Sequence, residues 1–256
     1  MLFLCDYIEK IFLDLFFLFA FFYFQYDTKN IRNKKHIILF HVIFHHKTMF
    51  ATFCILDFEA TCDDEKKFRP SEIIEFPSVL IKTNLVTGES KIIGEFQQYC
   101  KPVINPILTK FCTQLTGITQ DVVDAKGVLF QTALQMHQKW LASHVDISET
   151  VYFLTCGNWD LNVMLPLQAK LSKLEIPSRY KKFINIKQIY DDVYKKSSSK
   201  GKFKLGMAGM LREQGIELVG RHHSGIDDCK NLTTLVIHLF ENAVKQNIGI
   251  QHLMRH

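Results

Sequence analysis

No Cys-x-x-Cys pair occurs among the seven cysteines of the chain. Most of them lie in apolar or motif contexts, so the expectation is reduced thiols of an intracellular protein and not a disulfide framework. Charge of one sign is scarcely in excess. A net +5 over 256 residues permits an anionic partner without demanding one. Internal repeats are lacking. A secretory signal is lacking too: Asp6 and Glu9 stand where a basic start is needed, and no small-residue cleavage site follows. His41, His45 and His46 have no glutamate in a His-Glu-x-x-His pattern, which leaves a weak zinc signal. What remains is ordinary globular material, 47% hydrophobic and 22% charged, long enough for one large domain or a domain with an appendage.

Half of the phenylalanines fall in the first fifty residues. The run LFFLFAFFYF, residues 15–24, is strongly apolar but shorter than the about 20 residues of a spanning helix, even though it extends to 11–26 if Asp14 is tolerated. Arg32, Lys34 and Lys35 follow it, which would leave the C-terminal portion in the cytosol if the run inserted. The expectation is an apolar Phe-rich extension over 1–48, with Met49 a natural start, a domain over 49–246 and a short tail over 247–256. No stable membrane partner is expected, and the working place is the cytoplasm, the nucleus or both.

From Met49 the pattern is regular. The stretch 49–58 reads as a strand. Two more, at about 76–84 and 91–99, are joined by a turn at Thr87-Gly88. NPILTKFCTQLTG reads as a short helix closed by Gly117. Leu129, Ala133, Met136 and Trp140 recur at helical spacing. Residues 151–156 read as an apolar strand, 160–171 as a helix, 195–204 as a basic flexible loop and 226–244 as a helix. Strands that precede and alternate with helices give an α/β class with a mixed sheet flanked by helices.

At the end of the first strand stand Asp57 and Glu59. Side chains at i and i+2 of a strand share a face, so both carboxylates point one way. Burying two negative charges together calls for a compensating cation. Convergent carboxylates suit Mg²⁺ or Mn²⁺, although a lone Asp-x-Glu is common at a solvated strand end. Asp160 follows the strand 151–156 across Gly157-Asn158; strand ends collect catalytic residues, and an acid there also caps helices. Trp159 reads as core or as a stacking surface for a base or ribose. In RHHSGIDDCKNL two registers compete, His222 with Asp227 and His223 with Asp228. Asp228 shares a helix face with Leu232, Leu235 and Leu239, whereas Asp227 shares one with Asn231, Thr234 and His238. Asp228 is thus the acid forced inward, and His223 can reach the same cleft. Four acids and one histidine in this order suit phosphodiester hydrolysis with two metal ions, the histidine taking a proton from the attacking water.

At these residues the chain resembles the DEDDh 3′–5′ exonucleases with the ribonuclease-H-like fold. ILDFEATC, EIIEFP, FCTQLTGITQDVVD, CGNWDLNVMLP, KKFINIK and HSGIDDCKNL are similar to the Eri-type exoribonucleases, most of all to the prion-protein-interacting subgroup. The resemblance runs from about residue 50 to 242. It implies metal ligands at Asp57, Glu59, Asp160 and Asp228, two Mg²⁺ or Mn²⁺ ions, and His223 as general base, with Glu59 also in the catalytic set. It implies contacts of the terminal nucleotide with Phe111, Leu115, Trp159, Ala60 and Thr61. The partner implied is a single-stranded RNA 3′ end, cut to nucleoside 5′-monophosphates. Departures exist. The family usually has proline where His222 stands, and the nucleic-acid-binding SAP module of the histone-mRNA member is not visible.

Two other readings share the fold: a DNA 3′–5′ exonuclease and a non-catalytic RNA-binding scaffold. The intact acids and histidine argue against the scaffold, and the family likeness favours RNA. Asp63, Asp64 and Glu65 read as a solvated loop. Lys181, Lys182 and the loop 195–204 read equally as phosphate holders or as a solvated surface.

Overall fold

The computed structural model describes residues 49–64, 70–194 and 205–254, all within a unit that begins at Met49. The expectations for 1–48, including His41, His45 and His46, for Glu65 and for the loop 195–204 lie outside those residues. No helix among the described residues is long and apolar enough to cross a membrane.

The run FATFCIL is apolar at every position but Thr52 and forms β1, Phe50–Leu56. It pairs antiparallel with β3, Ile73–Asn84, and parallel with β5, Val151–Thr155. A strand flanked on both sides and covered on both faces must be apolar throughout. β4, Ser90–Tyr99, extends the sheet beyond β3, and β6, Phe183–Asn185, extends it parallel to β5. The sheet is therefore mixed, as the sequence pattern implies.

Alternation sends Phe53 and Ile55 to one face and Cys54 and Leu56 to the other. On the first face lie α5 (Ile186–Tyr194), α6 (Met207–Glu213) and α7 (Gly225–Lys245). Leu232, Leu235 and Leu239 of α7 are fully buried there. Each such side chain contributes roughly 1.5–3 kcal/mol, so these three alone weigh heavily against a net stability of about 5–15 kcal/mol. On the second face lie α3 (Phe130–His144) and α4 (Leu165–Leu171). Two short helices, α1 (Lys110–Thr116) and α2 (Gln120–Lys126), cover a smaller cluster around Ile74 and Cys112.

The first predicted strand is interrupted. Leu56 faces Ser78, and Glu59, in the two-residue strand β2 (Glu59–Ala60), faces Glu75. Asp57 and Phe58 therefore stand opposite Pro77 and Phe76. Pro77 has no N–H to give to the ladder, so pairing lapses there while the register continues. The side-chain parity of Asp57 and Glu59 survives the break.

Other expectations shift. The helix of 105–117 starts only at Lys110, where Thr109 caps it by accepting from Cys112 N–H at 2.9 Å. Gly117, at φ 78°, closes it. The buried side of α3 is Phe130, Ala133, Leu134, His137 and Leu141, whereas Leu129 and Met136 are 57% and 38% exposed. A histidine occupies the core position, which displaces the stripe from the one its polarity suggests. The segment 160–171 opens as a π turn, Asp160–Met164, with Leu165 N–H donating to Asp160 O, and only then becomes α4. The stretch expected as a tail contains α8 (Ile250–Leu253), whose Ile250 and Leu253 are fully buried in the α7-side core.

Candidate active site

Asp57 and Glu59 have the parity of Phe53 and Ile55, so they lie on the α7 side of the sheet. There they meet Asp228, in the first turn of α7, at a cavity of about 390 Å³. Asp160 lies just behind, 3% exposed, its Oδ1 accepting the Phe58 N–H at 2.8 Å. That N–H is free for Asp160 because the ladder lapses at Asp57 and Phe58. The four acids predicted from sequence are thus one group. Burial, then the charges of Asp160, Asp228, Glu59 and Glu75, holds the Asp57 carboxyl well above the usual carboxylate range. Burial, then Glu75, Asp228 and Asp160, pushes Glu59 up to about 9. Burial raises Asp160 and Asp228 to about 6 each.

Asp228 is 3% exposed, and its two oxygens differ. Oδ2 accepts the His223 N–H at 3.0 Å, while Oδ1 is buried with no hydrogen-bond partner. A buried carboxylate oxygen left bare costs about 1–3 kcal/mol or more. By contrast Glu72, as deeply buried, accepts the N–H groups of Val103, Ile104 and Asn105. A set of convergent acids with a bare buried oxygen fits hard divalent cations. The predicted solvated loop is only partly so: Asp64 is exposed, but Asp63 is half-buried with a bare Oδ1.

One acid was missed. Glu75, 1% exposed, stands opposite Glu59 and accepts from Gly225 N–H at 3.0 Å, Ile226 N–H at 3.3 Å and Gln97 Nε2 at 2.8 Å. It caps α7 in place of Ser224, whose side chain makes no cap bond. Backbone N–H groups at a helix start favour a carboxylate. Gly225 makes this approach possible, because a Cβ there would meet Pro77 Cγ at 2.8 Å and Asp57 O at 3.0 Å. The only signal in sequence was an acid inside the apolar run EIIEFP.

His223 belongs to the register chosen from the helix faces. Its backbone is left-handed, φ 66°, which is uncommon outside glycine and marks a constrained position. Burial, then His222 and Arg221, lowers its pKa below the usual histidine value, which favours the neutral ring. His222 is exposed at the rim. Asp227 turns away to the Arg221 N–H at 3.0 Å. Asn231, on the polar side of α7, is nonetheless buried because its amide bridges Val219 and Asp227.

Of the predicted nucleotide contacts, Ala60, Thr61, Leu115 and Trp159 line the cavity, and Trp159 is 45% exposed. Phe111 is half-buried on α1 and is not part of that lining. Lys187, which sequence reasoning did not single out, brings a cation to the wall. Lys181 and Lys182 lie elsewhere, exposed with Arg179 along a larger groove of about 750 Å³ beside β5 and β6. That groove holds none of the clustered acids.

The Exonuclease family RNase_T is matched over residues 54–236. The human ERI1 exoribonuclease 3 is 42% identical over 187 residues, which are 72% of this chain and 52% of that protein. The chain thus spans about half the length of the curated relatives it matches. The crystallographic nuclease domain of 3′hExo, a DEDDh family member bound to rAMP, gives a TM-score of 0.67 at 37% identity, covering 77% of this chain and 94% of that one. A 3′-exonuclease structure showing 3′-end specific recognition of the histone mRNA stem-loop gives 0.66 at 37% identity, covering 76% and 84%.

Proposed function

Since the chain belongs to the RNase_T exonuclease family, we propose that it is a metal-dependent 3′–5′ exoribonuclease, removing nucleoside 5′-monophosphates from single-stranded RNA 3′ ends. The observation that carries this is the bare, buried Oδ1 of Asp228 in a group of four acids, two of which, Asp57 and Glu59, have pKa values raised by burial and then by their acidic neighbours. Asp57, Glu59, Asp160 and Asp228 would hold two Mg²⁺ or Mn²⁺ ions. Bound there, the metal would supply positive charge to the phosphate and make a water easier to deprotonate.

The residues of the chain do the rest. Neutral His223 accepts the proton of the attacking water as its oxygen bonds to phosphorus and the bond to the 3′ oxygen breaks. The Asp228 carboxylate fixes the His223 backbone, so the base is positioned by a metal ligand. Trp159 offers a face to the terminal sugar, Leu115 and Phe111 of α1 pack the base, and the backbone at Ala60 and Thr61 closes on it. RNA is favoured over DNA because the relatives are named as exoribonucleases and one is seen with rAMP. An RNA substrate implies work in the cytoplasm or nucleus.

The full-length protein should shorten 5′-labelled single-stranded RNA stepwise with Mg²⁺ or Mn²⁺, and EDTA should stop it. No shortening with any divalent metal would leave a binding scaffold. Faster loss of a matched DNA strand would overturn the RNA assignment.

A further inference from the structure

The exonuclease reading uses one histidine of a pair. The rings of His222 and His223 stack, with centroids 4.0 Å apart and 21° between planes. A ligand atom from each and one from the Asp228 carboxylate lie within 4.8 Å of one another. The third member is the acid with the bare, buried Oδ1. Its other oxygen is tied to the His223 N–H, so the group cannot swing away to find a partner. The charged neighbours are engaged elsewhere. The Arg221 guanidinium donates to Gln114 O, and Asp227 accepts the Arg221 N–H.

We infer that His222, His223 and Asp228 form a site for a transition-metal cation of the Zn²⁺ class, sharing Asp228 with the all-carboxylate site but adding two imidazoles to it, and that filling it removes His223 from catalysis. The site itself stands without the exonuclease reading; only the inhibition rests on it. Two imidazoles and a carboxylate are a ligand set of zinc, with a fourth position open to water. Mg²⁺ prefers oxygen alone. Tetrahedral Zn²⁺ with bonds of about 2.0–2.1 Å sets its ligand atoms roughly 3.3 Å apart. The group must therefore draw together slightly, and His222, exposed on its loop, is the member free to move. With proline at position 222, as in the resembled family, only two ligands would remain.

The test uses the full chain, with Co²⁺ as a spectroscopic probe and Zn²⁺ as its competitor. The wild type should show the visible absorption of four-coordinate Co²⁺ at one equivalent, and Zn²⁺ should displace it. His222→Ala and His222→Pro should each lose the spectrum and weaken Zn²⁺ binding by about tenfold or more. The same variants should raise the Zn²⁺ concentration that halves Mg²⁺-supported RNA shortening by that factor, with the rate lacking Zn²⁺ unchanged. Equal Zn²⁺ affinity in wild type and both variants would put the ion among the carboxylates and overturn the inference, as would a wild type without the Co²⁺ spectrum. If no metal supports RNA shortening, the hydrolase reading falls, and the Co²⁺ spectrum still decides the site.

Discussion

Two buried polar clusters meet at β3, one on each face of the sheet. On the α3 side, His137 is fully buried, with Nδ1 2.7 Å from Tyr180 Oη and Nε2 3.0 Å from Ser78 Oγ. Ser78 gives its hydrogen to Pro77 O, so Nε2 is the donor and Nδ1 accepts the tyrosine hydroxyl. Every polar atom of that ring is matched. On the α7 side, Asp57, Glu59, Asp160, Glu75 and Asp228 crowd together, and one buried oxygen has no partner. Pro77 sits between the two: its carbonyl completes the first cluster, and its missing N–H opens the ladder at the second. A satisfied buried network holds a fold together, whereas an unsatisfied one is held together by the fold and waits for a ligand.

The widest gap between the clusters should appear at Asp228. Asp228→Asn should lower RNA hydrolysis by about 10³-fold or more, the several kcal/mol of charge stabilisation supplied at a metal site. In EDTA the same variant should melt no lower than wild type, because a repelling charge has gone. A clear drop in the EDTA melting temperature would mean that the acids stabilise the fold, and the contrast would fail. Next, His223→Ala should cost about 10²-fold or more in rate, while His222→Ala in Mg²⁺ alone should keep its rate. The reverse order would restore the rejected register.

The α3 side should behave in the opposite manner. His137→Ala should lower stability in chemical denaturation by about 2–4 kcal/mol, through a cavity and an unpartnered Tyr180 hydroxyl. Burial holds the His137 pKa down to about 3. Between the unfolded value near 6.5 and about 3, the unfolded chain binds a proton that the folded chain does not, so stability falls as pH drops through that window. The variant should lose this part of the acid dependence. The smallest effect belongs to Glu75→Gln, which keeps the shape but weakens the cap on α7. Activity should fall about tenfold, the scale of outer-shell partners, with little change in melting temperature.

Part of this was legible in the chain because it rests on periodicity. Strand parity put Asp57 and Glu59 on one face, and the leucine stripe of α7 picked Asp228 over Asp227. Parity carries no information about what lies across a gap in sequence. Glu75 finds its partners 150 residues away, at Gly225. His137 was not part of the helical stripe read from sequence, because the partners that allow its burial, Ser78 and Tyr180, are remote in the chain. The π turn was invisible for a related reason, since its wider hydrogen bonding leaves no mark in composition.

That turn bears on how the chain can change over generations. A turn closed from Leu165 N–H to Asp160 O holds one residue more than an α-turn. Deleting that residue would restore ordinary spacing and swing Asp160 by about 100° against α4, carrying its carboxyl away from the Phe58 N–H. Inserting one would swing it the other way. A length change between Thr155 and Leu165 therefore displaces an acid of the site, whereas one among the exposed residues 146–148 leaves that acid where it is.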